Sequence, residues 1–201
     1  MENLKNLVLA PHIDDEVLGC YSFLNRNTHV IYFGVEEREN ISSKERIEEM
    51  KNAAELKKFT WHLENFRVNS YQVAELIHPI EKCINSILPD CVVIPHPSYN
   101  QDHRAVYEAA IVALRPHDKN HFVNLVLVYE QPHTFLWPMK RFEPNYYIDL
   151  DIEGKIQLYN LYKSQVRPYR SDSIIRSMAQ LRGSQSNKMN AEAYYCKRLV
   201  K

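Results

Sequence analysis

Residues 4–20, LKNLVLAPHIDDEVLGC, hold the transition that decides the fold. Leu4 to Ala10 is short, mostly aliphatic and stopped by Pro11, the pattern of a buried strand. His12, Asp14, Asp15 and Glu16 follow at once, and Glu16 to Asn25 then has helical character, with acidic residues where the helix dipole favours them. A buried strand that turns directly into a helix is the opening unit of a parallel sheet with crossover connections.

The same alternation continues outward from this unit. Thr28 to Val35 reads as a second strand. Ser42, with Glu45 three residues on, forms a capping-box pattern opening a helix to about Phe59. A weaker strand over His62 to Val68, a helix over Val73 to Leu88 and the short buried strand Cys91 to Pro95 follow. His103 to Arg115 reads as a helix closed by Pro116, and Val123 to Tyr129 as another strand. The expected architecture is α/β: a Rossmann-like, mostly parallel sheet with helices on both faces, whose ligands sit at the carboxyl ends of the strands. After Glu130 a proline- and aromatic-rich stretch, QPHTFLWPMKRFEPNYYIDL, precedes segments read as helical at about 153–166, 172–182 and 190–197. No polar linker separates them, so they read as a helical C-terminal elaboration on a single domain over residues 1–201.

Composition removes several function classes. Twenty-five basic and twenty-five acidic side chains give no formal net charge, so neither nucleic acid nor an anionic membrane is an expected partner. The longest apolar run, Ala109 to Leu114, is far short of the ~20 residues that span a bilayer. The start, MENLKNLVLAPH, does not read as a secretory signal. Cys20, Cys83, Cys91 and Cys196 form no C-x-x-C pair and read as reduced, mostly buried thiols of a cytoplasmic protein. With only four glycines, none closer than Gly19 and Gly34, no glycine-rich phosphate loop can be written.

Two ionisable clusters fall just past strand ends. In His12-Ile13-Asp14-Asp15-Glu16 three consecutive carboxylates repel one another unless a cation or hydrogen-bond donors offset them. Imidazole and carboxylate also suit Zn²⁺ or another divalent transition metal, although acidic residues at a helix start are common for structural reasons. The second cluster is Asn100-Gln101-Asp102-His103-Arg104, where Asn100 or Asp102 could simply cap the following helix. If the two strands are neighbours, His12, one aspartate and His103 make an N,N,O set that leaves a position open for water. The other aspartate is then free to act as general base, and spacing leaves open whether Asp14 or Asp15 is the ligand.

PHIDDEVLGC, followed about 85 residues later by NQDHRAVYEAA, resembles the PIG-L/LmbE family of metal-dependent N-deacetylases. The Arg46…Glu49…Ala53…Leu56 spacing is similar to that family's R-x-x-E-x-x-x-A-x-x-L helix, and YYIDLD, YKSQ and NAEAYY also look like those of bacterial members. The resemblance implies His12, Asp15 and His103 as metal ligands, Asp14 as general base and Arg46 in the substrate pocket. It implies Zn²⁺, with Fe²⁺ or another divalent metal as the alternative. The implied substrate is a small N-acetylated sugar or glycoconjugate. A metal-dependent amidase on a non-sugar N-acyl substrate, or a non-catalytic sugar- or nucleotide-binding module, are the rival readings.

The chain departs from the family pattern in three places. Ile13 replaces a proline, and Tyr21-Ser22 replaces Gly-Gly, which marks that pair as the place where the pocket should differ. Asn100 stands where many members have a histidine; its amide can donate to an oxyanion but cannot shuttle a proton. His96 reads as structural, His133 and Trp137 as core packing, and Tyr99 stands out among the tyrosines only because it adjoins Asn100.

Overall fold

In a computed structural model, which describes residues 4–37 and 39–201, the aliphatic runs become strands β1 (Asn6–Ala10), β2 (Thr28–Tyr32), β3 (Thr60–Leu63), β4 (Cys91–Pro95) and β5 (Leu125–Tyr129). Two later strands, β6 (Tyr146–Asp149) and β7 (Ala191–Leu199), join them in one sheet of order β3-β2-β1-β4-β5-β7-β6. The first five are parallel, while β7 runs antiparallel between β5 and β6. The mostly parallel α/β sheet expected from the sequence is therefore present.

Buried on both faces, β1 has no polar side to show. Leu7 and Leu9 point into one core and Val8 and Ala10 into the other, which is why the strand reads as an unbroken apolar run. The Leu7 face is covered by α3 (Val73–Ile87) and α4 (Gln101–Ala113), through Leu76, Ile80, Ile84, Val106 and Ala109. The Val8 face is covered by α1 (Asp15–Cys20), α2 (Ser43–Lys57), α6 (Ile152–Tyr159) and α7 (Asp172–Gln185), through Val17, Met50, Ala53, Ile156 and Ile175. Ser42 accepts the Glu45 N–H at 3.2 Å, as the capping pattern predicts. A short helix α5 (Pro132–Leu136) and 3-10 turns at Tyr21–Phe23, Lys163–Gln165 and Pro168–Arg170 complete the connections.

The C-terminal part departs from the helical expectation. The segment read as a helix over 190–197 is strand β7, and the run at 153–166 is a two-turn helix followed by a 3-10 turn. Ala191, Glu192 and Ala193 favour helix locally, but the free edge of β5 offers a row of backbone partners that a helix cannot use. From Tyr194 on, exposed and less exposed side chains alternate, the strand period. The helix expected over 16–25 stops at Cys20, and the strand expected over 62–68 lies at Thr60–Leu63.

Gly19 is the one glycine of the leading motif, and it sits where chain and ring touch. A Cβ there would lie 2.1 Å from the Tyr129 ring, so any other residue must push that ring or the helix aside. Tyr21 and Ser22 need no glycine, because their backbone is an ordinary right-handed 3-10 turn. Their N–H groups donate to the Glu192 carboxylate at 3.0 and 2.8 Å. They pack against the C-terminal strand and not in the cleft described below, which corrects the expectation that they reshape the pocket. Cys20, Cys83 and Cys91 are buried and Cys196 half-buried, all as free thiols.

Candidate active site

Strands β1 and β4 are hydrogen-bonded neighbours, with Asn6, Leu7 and Val8 opposite Cys91, Val92 and Val93. Their following helices, α1 and α4, leave to opposite faces of the sheet. Such a reversal opens a crevice at the carboxyl edge, the place where open α/β sheets bind ligands. Both ionisable clusters of the sequence empty into it. His12, Asp14, Asp15, Arg46, Asn100 and His103 all line one cleft at that edge.

At its floor, His12, Asp15 and His103 each offer one donor atom within 4.8 Å of the others. Asp15 Oδ2 lies 3.5 Å from His12 Nδ1 and 3.3 Å from His103 Nε2. It also accepts the His12 backbone N–H at 2.7 Å, while Oδ1 accepts Gln131 Nε2 at 2.8 Å. Burial opposes ionisation of Asp15, but His103, His12 and the Gln131 amide hold its carboxyl well below the usual range. Burial pushes His103 down to about 4, so its imidazole is neutral at ordinary pH, the form that binds metal. His12 is half-buried, and although its desolvation opposes the charge, hydrogen bonds to Asp102 and Asp15 raise it to about 9. Its proton sits between carboxylates that a divalent cation would neutralise instead. The donor set therefore fits such a cation.

Asp102 fixes the ring that makes this possible. His12 Nε2 lies 2.9 Å from Asp102 Oδ2, which turns Nδ1 toward Asp15. Asp102 is itself held by the N–H groups of Asn69 at 2.6 Å and Tyr71 at 3.3 Å. A carboxylate behind a ligating histidine sets its tautomer and orientation. Asn100 is the N-cap of α4, where its Oδ1 accepts the Asp102 N–H at 2.9 Å. The amide Nδ2 is left as a donor for the cleft.

Asp14 adopts a left-handed backbone with φ 100°. Two restraints hold it there. Its N–H donates to Glu16 Oε2 at 3.2 Å, and its Oδ2 accepts Arg170 Nη1 at 2.6 Å. Burial pushes the Asp14 carboxyl up to about 6, with the Arg170 guanidinium opposing. Glu16 is fully buried, receives the Tyr162 hydroxyl and is pushed up to about 8 by burial. Arg46, also buried, donates to the Ile13 carbonyl at 3.1 Å and to Glu36, so it ties the loop between β1 and α1 to the wall.

The later motif supports the first. Ser164 donates through N–H and Oγ to Glu49 at 2.8 and 2.5 Å, which anchors the YKSQ turn on α2 beside Arg46. Tyr162 and Gln165 of that turn then reach Glu16 and Arg170. Sequence reasoning missed Arg170, Gln131 and the placement of His133. His133 is not core packing: it lines the cleft, 5.0 Å ring to ring from His103, with Nε2 3.1 Å from Ser98 Oγ. Its position just beyond the end of β5, at the same sheet edge, was the available signal. Trp137 is not core either, being 75% exposed. His96 lies against Phe142 and the Lys140 carbonyl, a structural place as expected.

Donors gathered in this way serve hydrolysis, and the class that fold and cleft define is an α/β enzyme that cleaves bonds with water. The family model described as PIG-L, GlcNAc-PI de-N-acetylase, matches residues 7–114, more than half of the chain. The chain belongs to the PIG-L family of hydrolases. A conserved protein of Thermus thermophilus, TT1542, superposes with a TM-score of 0.82 at 20% identity, covering 98% of this chain and 96% of that one. The N,N'-diacetylchitobiose deacetylase of Pyrococcus horikoshii gives 0.78 at 19%, covering 97% and 84%. GalB of Pseudomonas putida KT2440, a 4-carboxy-2-hydroxymuconate hydratase, gives 0.73 at 18%, covering 98% and 99%. A comparison with curated proteins returned no match. Among the described residues no helix is long and apolar enough to cross a membrane.

Proposed function

We propose that the protein is a metal-dependent N-deacetylase that removes an acetyl group from an amino sugar or its conjugate. One observation carries the reading: three donors converge on one point beside Asp14, a second carboxylate held apart from them by Arg170. Membership of a family described by a de-N-acetylase, and a fold shared with a chitobiose deacetylase, point to the same bond. We take residues 1–201 as one catalytic domain, because the cleft draws on both ends of the chain.

His12, Asp15 and His103 would hold the cation, Zn²⁺ or Fe²⁺, both of which suit an N,N,O set. Bound there, it supplies a Lewis acid for the amide carbonyl and lowers the pKa of an adjacent water. Asp14 takes a proton from that water as its oxygen attacks the carbonyl carbon. Arg170 keeps the Asp14 carboxylate aimed at the cleft, and Asn100 Nδ2 donates to the oxyanion that develops. As the C–N bond breaks, Asp14 passes the proton to the departing nitrogen. The products are acetic acid and a free amine; the acid's proton then passes to the amine, so that acetate and an ammonium group leave with atoms and charge balanced. Asp102 acts only through His12, as a positioning residue.

Acetate release from N-acetylated sugars, measured on one sample together with metal content by elemental analysis, tests the reading. Activity that tracks bound metal supports it. Full activity in metal-free protein would sink it. The second reading is a metal-dependent amidase on a non-sugar N-acyl substrate, supported by the hydratase neighbour in that it shows the fold serving a different substrate. A panel of N-acetyl sugars and acyl amino acids separates the two.

A further inference from the structure

A series of aromatic rings runs from His103, His133 and Tyr99, which line the cleft, out to Trp137 beside its mouth. The His103 ring is 5.0 Å from His133, His133 is 5.5 Å from Tyr99, and Tyr99 is 6.5 Å from Trp137, each pair edge to face. Exposure rises along this series, from buried His103 to Tyr99 at 49% and Trp137 at 75%. Edge-to-face packing leaves the ring faces of Tyr99 and Trp137 uncovered by one another. Large aromatic surface at the mouth of a polar cleft is unusual unless a ligand covers it.

We propose that Tyr99 and Trp137 form a second subsite, which takes the sugar ring adjoining the one that is deacetylated. The inference rests on the deacetylase reading and names its substrate more closely, as a saccharide of two or more rings. An acetamido group at the floor places its own pyranose beside His133 and Asn100. The next ring along the chain then meets the exposed faces of Tyr99 and Trp137. The apolar C–H face of that ring stacks on the aromatic face, and its hydroxyls stay in water. His133, Asn100 and Arg170 interrupt the wall with polar groups, which favours a sugar over an alkyl chain.

The test compares N-acetylglucosamine, N,N'-diacetylchitobiose and octyl N-acetylglucosaminide as substrates for the full-length protein, Trp137→Ala, Tyr99→Ala and Trp137→Phe. The disaccharide should exceed the monosaccharide about tenfold in kcat/KM, the order of one aromatic contact. Trp137→Ala should bring that ratio toward one, through KM rather than kcat, and Trp137→Phe should restore most of it. Because Trp137 is largely exposed, the variants should fold, which circular dichroism checks. A wild-type ratio near one, or a ratio unchanged in both alanine variants, overturns the subsite. A stronger preference for the octyl glycoside that depends equally on Trp137 overturns the sugar assignment. If no substrate releases acetate, the deacetylase reading fails, and calorimetric titration with the disaccharide judges the subsite alone. Binding weakened about tenfold in Trp137→Ala then supports it, and absence of binding overturns it.

Discussion

Asp14 and Asp15 are neighbours in sequence and opposites in environment. Asp15 turns back to the imidazoles, whereas Asp14, at φ 100°, turns to an arginine 156 residues away. A non-glycine residue in this region costs of the order of 1–3 kcal/mol and persists only when its surroundings fix it. Asparagine tolerates the left-handed region as well as aspartate does. Asp14→Asn should therefore fold and keep its metal while acetate release falls at least ~100-fold; kcat and metal content on one sample check both. Asp102→Asn should weaken metal binding by about 10–100-fold, since His12 loses the carboxylate that orients it. Competition with a coloured chelator reads that affinity, and an unchanged affinity would remove Asp102 from its positioning role. At this scale the sequence was informative about which residue types meet, because all six candidate residues line one cleft. Spacing left the two aspartates interchangeable, and only the family resemblance told them apart. The difference between their surroundings comes from Gln131 and Arg170, which reach the loop from remote parts of the chain.

Among the elements, α1 shows how closely the motif is fitted to the sheet. Gly19 brings α1 onto the Tyr129 ring, whose hydroxyl donates to the Leu9 carbonyl at 3.0 Å. Gly19→Ala should cost about 1–3 kcal/mol by forcing that ring or helix aside. The expected fall in melting temperature is several degrees for a chain of this size, read by calorimetry. Parallel strands and their helices were legible because burial on both faces leaves aliphatic runs between capped helices. β7 was not, since Ala-Glu-Ala carries no strand signal and the edge that recruits it belongs to β5. Trp137 and His133 were misplaced for a related reason. An aromatic-rich stretch reads as core until the structure shows that it borders an opening.

For the whole molecule, the order of strands matters more than any single contact. Placing β1 beside β4 joins two clusters about 85 residues apart, and no spacing rule in the sequence could establish that adjacency. The fold by itself does not choose a substrate, as the hydratase with the same architecture illustrates. A metal that binds only the folded state should stabilise it. Free metal at 100 times its Kd contributes about 2.7 kcal/mol. Addition of a chelator should therefore lower the melting temperature and abolish acetate release together, measured by scanning fluorimetry and product assay.

β7 is inserted between β5 and β6, and the turn that carries Arg170 precedes it. During synthesis, which proceeds from the N-terminus, the proposed ligands of residues 12–103 leave the ribosome well before the arginine that aims Asp14. The hydrogen bond from Arg170 that fixes Asp14 therefore forms only when the late segment docks on the rest of the domain.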